Sequence, residues 1–128
     1  MRVVLLALFL LLPVTAQSQE LEGALSEYLD FATEAEGIIA PAQLTADLLP
    51  QVQFIDVRNA AAFGTNPIAG AIHIPWREIV ARLDEVPASG LAVLYCDTGA
   101  ISAQAMFAAR LMGRDNVLVL QGGRAGWP

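Results

Sequence analysis

Leu91-Ala92-Val93-Leu94-Tyr95-Cys96-Asp97-Thr98-Gly99-Ala100-Ile101-Ser102 is the stretch on which the fold turns. Leu91 to Tyr95 is a continuous apolar run preceded by Pro87, Ser89 and Gly90, so it reads as a strand covered on both faces, as inside a parallel sheet. From Ser102 to Met112 the chain is crowded with alanine and apolar on most sides, which predicts a buried helix, and Gly113 ends it. A buried strand therefore hands over to a buried helix through a few small or polar residues, and Cys96 stands at the handover. In open α/β sheets, binding sites form outside the carboxyl ends of the strands.

Working outward, Val52 to Val57 is rich in β-formers and runs into charge at Asp56 and Arg58. Ala71 to Ile74 predicts a short strand that stops at Pro75, Asn116 to Leu120 a last strand, and Ile38-Ile39 a first one. Helices are expected between them. Pro41 with Leu44, Leu48 and Leu49 predicts one that Pro50 closes, Asn59 to Phe63 a short one, and Trp76, Ile79, Val80 and Leu83 recur at helical spacing. Glu20 to Glu36 predicts an acidic amphipathic helix stopped by Gly37, with Leu21, Ala24, Leu25, Tyr28, Leu29 and Ala32 on one face. Alternating strands and helices imply an α/β fold: a three-layer sandwich with a central, mostly parallel sheet of about five strands flanked by helices.

The first residues follow a different logic. Arg2, an apolar run from Val3 to Leu12, and small residues near Ala16 match a secretory signal peptide cleaved after Ala16. The run is too short to span a bilayer, and Pro13 ends it. The expected organisation is thus a leader over residues 1–16, a helical segment over 17–37 and one domain over 38–128. Export to the periplasm or outside the cell is expected, with no membrane attachment after cleavage. The chain carries a formal charge of −6, and every basic residue is arginine. An acidic surface repels phosphate backbones and anionic lipid, which argues against nucleic acid as a partner.

Cys96 is the only cysteine. Exported proteins usually spend cysteines in pairs, so a single one is a reactive thiol, a link to another chain or a small buried hydrophobe. Its setting favours reactivity. The first turn of the following helix presents backbone N–H groups without internal partners, and Gly99 permits the left-handed turn that would curl the loop around the sulfur. Such a nest stabilises a thiolate, a persulfide or an incoming oxyanion. Thr98 and Ser102 carry hydroxyls that could reach into the loop, although Ser102 is read first as a helix cap. Asp97 is either a tuning charge that would raise the thiol pKa or a loop cap. His73, Trp76 and Trp127 are read as packing residues, and a lone histidine with a lone cysteine cannot build a zinc site of usual composition.

The loop resembles the active loop of the rhodanese family, and three further segments extend the likeness. Asp56-Val57-Arg58 is similar to that family's Asp-x-Arg signature, Gly70-Ala71-Ile72-His73-Ile74-Pro75 to its Gly-Ala-x-x-Ile-Pro segment, and Val117 to Gly123 with Trp127 to its closing strand and Gly-Gly turn. The resemblance implies a sulfurtransferase cycle. Cys96 would take sulfane sulfur from a small donor such as thiosulfate and pass it to a thiol or to cyanide. Asp97, Thr98, Gly99, Ala100, Ile101 and Ser102 would form the substrate-binding loop, and Asp56 and Arg58 would buttress it. The resemblance calls for no cofactor and no metal, and it identifies no protein partner.

This chain departs from the family where the loop usually reads Cys-x-x-Gly-x-Arg, because Ile101 takes the arginine position. Losing a charged hydrogen bond of about 1.5–3 kcal/mol would weaken capture of a sulfonate-like donor roughly ten- to a hundredfold. A binding module without turnover is the competing expectation. A cysteine phosphatase or arsenate reductase usually has Cys-x5-Arg, and here that position is Ser102. Thr65-Asn66-Pro67-Ile68-Ala69-Gly70 also departs from the family's usual Gly-His-Ile-Pro-Gly, which is expected to alter loop shape more than chemistry.

Overall fold

The computed structural model describes residues 14–128; the leader expected over 1–16 therefore lies outside the described residues except for Val14 to Ala16. The described chain divides into two compact units, a helix that ends at Phe31 and the body from Ala32 to Pro128. The helix α1, Val14–Phe31, stops short of the predicted Glu36. Residues 34–37 form a turn instead.

The body is built on five strands: β1 Ile38–Ile39, β2 Val52–Asp56, β3 Ile72–His73, β4 Leu91–Tyr95 and β5 Val117–Leu120. They form one sheet in the order β1-β5-β4-β2-β3, with every neighbouring pair parallel. β4 lies in the middle, paired with β2 from Val52–Leu91 to Asp56–Tyr95 and with β5 from Ala92–Val117 to Leu94–Val119. Two further helices follow, α2 Ala60–Thr65 and α3 Ala100–Leu111. The Asn59 side chain caps α2 by accepting the Ala62 N–H.

Side chains alternate across a strand, so β4 supplies two cores. Ala92, Leu94 and the following Cys96 join Ile55, Val117 and Val119 against Ala105, Met106 and Ala109 of α3, with Ile79 and Val86 completing that layer. Val93 and Tyr95 face the other way, into a cluster with Ile39, Leu44, Phe54, Ile68 and Leu120, on which Trp127 packs. Covering both faces of a parallel sheet produces the expected three-layer α/β sandwich.

Two predicted helices are shorter than the spacing implied. Residues 41–51 form 3-10 turns at Pro41–Gln43 and Leu49–Gln51, and residues 76–85 form 3-10 turns at Trp76–Glu78 and Leu83–Glu85. Between the latter two turns, Ile79 is buried while Val80 is half exposed, so the expected apolar face is only partly buried. Arg82 pins this segment, donating to Glu78, Glu85 and the His73 carbonyl.

Candidate functional site

Cys96 follows β4 directly and keeps its alternation, so its side chain points to the α3 face. Gly99 is the N-cap of α3, with φ 106° and ψ −14°, the left-handed turn expected there. That turn brings the Gly99 N–H to the sulfur, 3.1 Å from Sγ. The Ser102 hydroxyl lies 3.3 Å from Sγ and 3.1 Å from the Gly99 carbonyl. Ser102 is therefore not the helix cap. It is the third residue of α3, fully buried, and its hydroxyl faces the thiol.

Burial pushes the Cys96 thiol pKa up, but the Ser102 hydroxyl and the N–H groups of Ser102, Thr98 and Gly99 outweigh it, and the net displacement is downward. Cys96 is only 3% exposed, yet it lines a cavity of about 290 Å3 with Asp97, Thr98, Ala100 and Ile101. The thiol is thus shielded from solvent on its other sides and open to one small space. Among the described residues, no cluster of histidine, cysteine and carboxylate side chains could hold a metal ion.

The loop is braced from two directions. Arg58 is buried, and its guanidinium donates to both carboxylate oxygens of Asp56 at 2.7–3.2 Å. It also donates at 3.1 Å to Asp97, the residue after the cysteine, and at 3.0 Å to the Asn66 side chain. Asp97 is consequently an ion-pair partner rather than a charge facing the sulfur. Burial alone would raise the pKa of Asp56, but its hydrogen bonds and charge contact with Arg58 bring it below the usual carboxylate value. Burial pushes the neighbouring Tyr95 phenol up to about 12, and its oxygen accepts the Ile68 N–H at 2.9 Å, tying down the loop that carries Pro67.

The second brace is the turn after β5. Arg124 N–H donates to the Cys96 carbonyl at 2.7 Å, and Ala125 N–H to the Asp97 carbonyl at 3.0 Å. This close approach requires Gly123: at φ 58° and ψ −154°, a Cβ there would stand 2.5 Å from the Cys96 oxygen. The Arg124 side chain donates to the Asn66 carbonyl, which Arg58 also engages. Asn66, Gly123 and Arg124 were not among the expected site residues. The Gly-Gly pair after a buried strand was the available signal for the turn, whereas Asn66 had none.

The remaining expectations are plainly placed. His73 stacks on Phe63 with centroids 4.8 Å apart and bonds the Arg58 carbonyl, and Trp127 packs edge-on against Phe54, so both are packing residues. Trp76 carries the Arg77 guanidinium over its ring at 4.4 Å. Ile101 occupies the side of the cavity where the resemblance would put a cation.

The family model of the rhodanese-like domain matches residues 41–128. A sulfurtransferase of Allochromatium vinosum is 34% identical over 76 residues, covering 59% of this chain and 71% of that protein. A probable adenylyltransferase/sulfurtransferase of Mycobacterium tuberculosis is 36% identical over 103 residues, 77% of this chain but 26% of that protein, so the chain spans about a quarter of its length. Among solved structures, the rhodanese-like domain of an Anabaena protein aligns with a TM-score of 0.64 at 26% identity, over 72% of this chain and 73% of that one. A rhodanese-related protein of Thermoplasma volcanium shares the fold at a TM-score of 0.62 and 24% identity, over 70% of this chain and 93% of that one. The family and its sulfurtransferase-named relatives support a sulfurtransferase-type function in general. With a thiol held at the end of the central strand and the family match spanning most of the chain, this protein belongs to the rhodanese-like domain family.

Proposed function

We propose that the protein is a sulfur carrier in which Cys96 accepts sulfane sulfur from a small donor, holds it as a persulfide and passes it to a thiol or to cyanide. The observation that carries this reading is the donor cluster on Cys96 Sγ, with Gly99 N–H at 3.1 Å and the Ser102 hydroxyl at 3.3 Å, behind an open cavity. In the first half-reaction, thiolate Sγ attacks the outer sulfur of thiosulfate or of another persulfide donor. A new S–S bond forms, the donor's own bond to that sulfur breaks, and the electron pair leaves with sulfite or with the donor's thiolate. In the second, the acceptor attacks the outer sulfur of the persulfide, the S–S bond to Sγ breaks, and Sγ departs as thiolate. No outside oxidant or reductant is needed.

The loop residues Asp97 to Ser102 surround the transferred sulfur in this scheme, and Asp56 and Arg58 hold the loop in shape through the ion pair with Asp97. No cofactor enters it. A second reading, a binding module without turnover, is favoured by one specific feature: Ile101 lines the cavity in place of a guanidinium. Intact-mass measurement after exposure to thiosulfate, polysulfide and mercaptopyruvate separates the two, with Cys96→Ser as control. A carrier gains sulfur on Cys96 from at least one donor. A protein that gains none from any of them is the binding module.

We also propose that residues 1–16 direct export, that residues 17–37, helical as far as Phe31, precede the domain at 38–128, and that the protein works in the periplasm or outside the cell. The charged start, short apolar run and small residues before Gln17 support this reading. The mass of the protein recovered from the periplasmic fraction tests it: cleavage after Ala16 leaves Gln17 as the first residue, and an unprocessed chain in the cytoplasm contradicts it.

A further inference from the structure

Ile101, the second residue of α3, lines two cavities. One is the space in front of Cys96. The other measures about 310 Å3, and its walls include Arg58, Asn59, Trp76 and Arg77. The turn carrying Trp76 and Arg77 packs against α3, so the route from the thiol to that turn crosses the aliphatic side chain of Ile101.

The two guanidinium groups on the second cavity are not equivalent. Arg58 is buried and committed to Asp56, Asp97 and Asn66. Arg77 is exposed, and no carboxylate of the described residues forms an ion pair with it. Glu78, the acid on the same wall, is engaged by Arg82 at 3.0 Å. The Trp76 ring beneath Arg77, 4.4 Å from the guanidinium carbon to the centroid, fixes the charge over an apolar platform while leaving its N–H edges free for a planar anion.

We propose that Arg77 is a specificity-determining residue that anchors the carboxylate of an organic persulfide donor, with the donor's carbon skeleton lying across Ile101 and its outer sulfur presented to Cys96. The proposal rests on the reading of Cys96 as a sulfur carrier. It follows from the order of surfaces: a nucleophilic sulfur, then an aliphatic wall, then a cation. A compact inorganic oxyanion carries its charge beside its sulfur and would set that charge against the methyl groups of Ile101. A carboxylic acid several bonds from its persulfide places methylenes on Ile101 and a planar carboxylate at Arg77, where two parallel N–H bonds are available. In the transfer, thiolate Sγ attacks the outer sulfur of R–S–SH, the S–S bond of the donor breaks, and R–S⁻ leaves with the bonding pair. The proton stays on the transferred sulfur.

Two matched donors test the assignment, the persulfides of 4-mercaptobutanoate and of 4-mercaptobutanamide, which share length and sulfur chemistry and differ in tail charge. The rate of sulfur gain on Cys96 is followed by quenched intact-mass analysis at low ionic strength. The unmodified protein is expected to favour the acid over the amide about tenfold, the lower end for a hydrogen bond to a charged group. Arg77→Gln is expected to bring that ratio to about one, and Arg77→Lys to restore part of it. Because the readout is a ratio within one protein, a general loss of folding or thiol reactivity cancels. A ratio near one in the unmodified protein, or a ratio kept in Arg77→Gln, overturns the role of Arg77 while leaving the carrier reading intact. Failure of both persulfides to add sulfur to Cys96 overturns this assignment, and the carrier reading falls with it only if thiosulfate, polysulfide and mercaptopyruvate add none either.

Discussion

Replacing Ser102 with alanine isolates the hydrogen bond that faces the sulfur. The hydroxyl has one proton and two neighbours, Sγ at 3.3 Å and the Gly99 carbonyl at 3.1 Å. While Cys96 is a neutral thiol, the hydroxyl can serve Gly99; when the sulfur ionises, donation to the anion wins. Alanine is a strong helix former, and the Gly99 carbonyl keeps the Ala103 N–H at 2.9 Å, so the helix loses little. A hydrogen bond to a charged group contributes about 1.5–3 kcal/mol, and the long contact to a diffuse sulfur belongs at the low end. Roughly 1.5 kcal/mol is about a tenfold fall in the thiolate population on the acid side of its titration.

The less acidic thiol is also the better nucleophile. With a Brønsted slope of about 0.4–0.5, a tenfold weaker acid attacks roughly threefold faster once ionised. Exchange with hydroxyethyl disulfide should therefore slow about threefold at acid pH and quicken about threefold on the alkaline plateau, so the two pH profiles cross. The sign follows from the lowered thiol pKa in the unmodified protein, where the net of burial and hydrogen bonding favours the anion. Superimposable profiles would mean that the hydroxyl does not stabilise the thiolate. A parallel drop on both limbs would mean that Ser102 only supports loop shape.

Other perturbations probe the braces and the departed arginine. Gly123→Ala combines left-handed backbone strain with a Cβ set against the Cys96 and Asp97 main chain, and should cost about 3 kcal/mol or more in urea unfolding; a loss below about 1 kcal/mol would contradict the close packing of that turn. Asp56→Asn leaves Arg58 buried without its bidentate partner and should destabilise by roughly 3 kcal/mol at neutral pH. Because the Asp56 pKa is lowered by folding, its stabilisation is present above the ordinary carboxylate range and lost as pH falls through the folded value. The acid limb of a stability–pH curve should accordingly be shallower in Asp56→Asn than in the unmodified protein, and identical limbs would refute the assignment. Ile101→Arg should raise sulfur loading from thiosulfate roughly ten- to a hundredfold; equal rates would show that a loop cation is irrelevant to that donor.

Much of this architecture was legible along the chain. The LAVLY run became β4, buried from Ala92 to Tyr95. The alanine-rich segment after Cys96 became α3, which buries one face through Ser102, Ala105, Met106 and Ala109 rather than most of its sides as its composition predicts. Burial leaves a pattern that needs no knowledge of neighbours. Gly99 was legible for the same reason, since a tight turn around the sulfur restricts the residue itself. The segments around Leu44 and Trp76 form 3-10 turns where their spacing predicts helices. Their apolar spacing is real, but a single 3-10 turn also repeats every three residues, and spacing alone does not separate the two over so short a span.

Local sequence determined which residues make strands, where the chain turns and where a nucleophile stands, because backbone preference and burial periodicity act over neighbouring positions. Tertiary structure decided what surrounds that nucleophile. Asp97 was an ambiguous charge until Arg58, 39 positions earlier, was brought to 3.1 Å from it. Ser102 read as a cap until the curl at Gly99 turned its hydroxyl toward the sulfur, and Gly123 became indispensable only when the turn after β5 met the Cys96 carbonyl. Hydrogen bonds and ion pairs act over a few ångströms of space, and the chain distance between their partners leaves no local imprint on either.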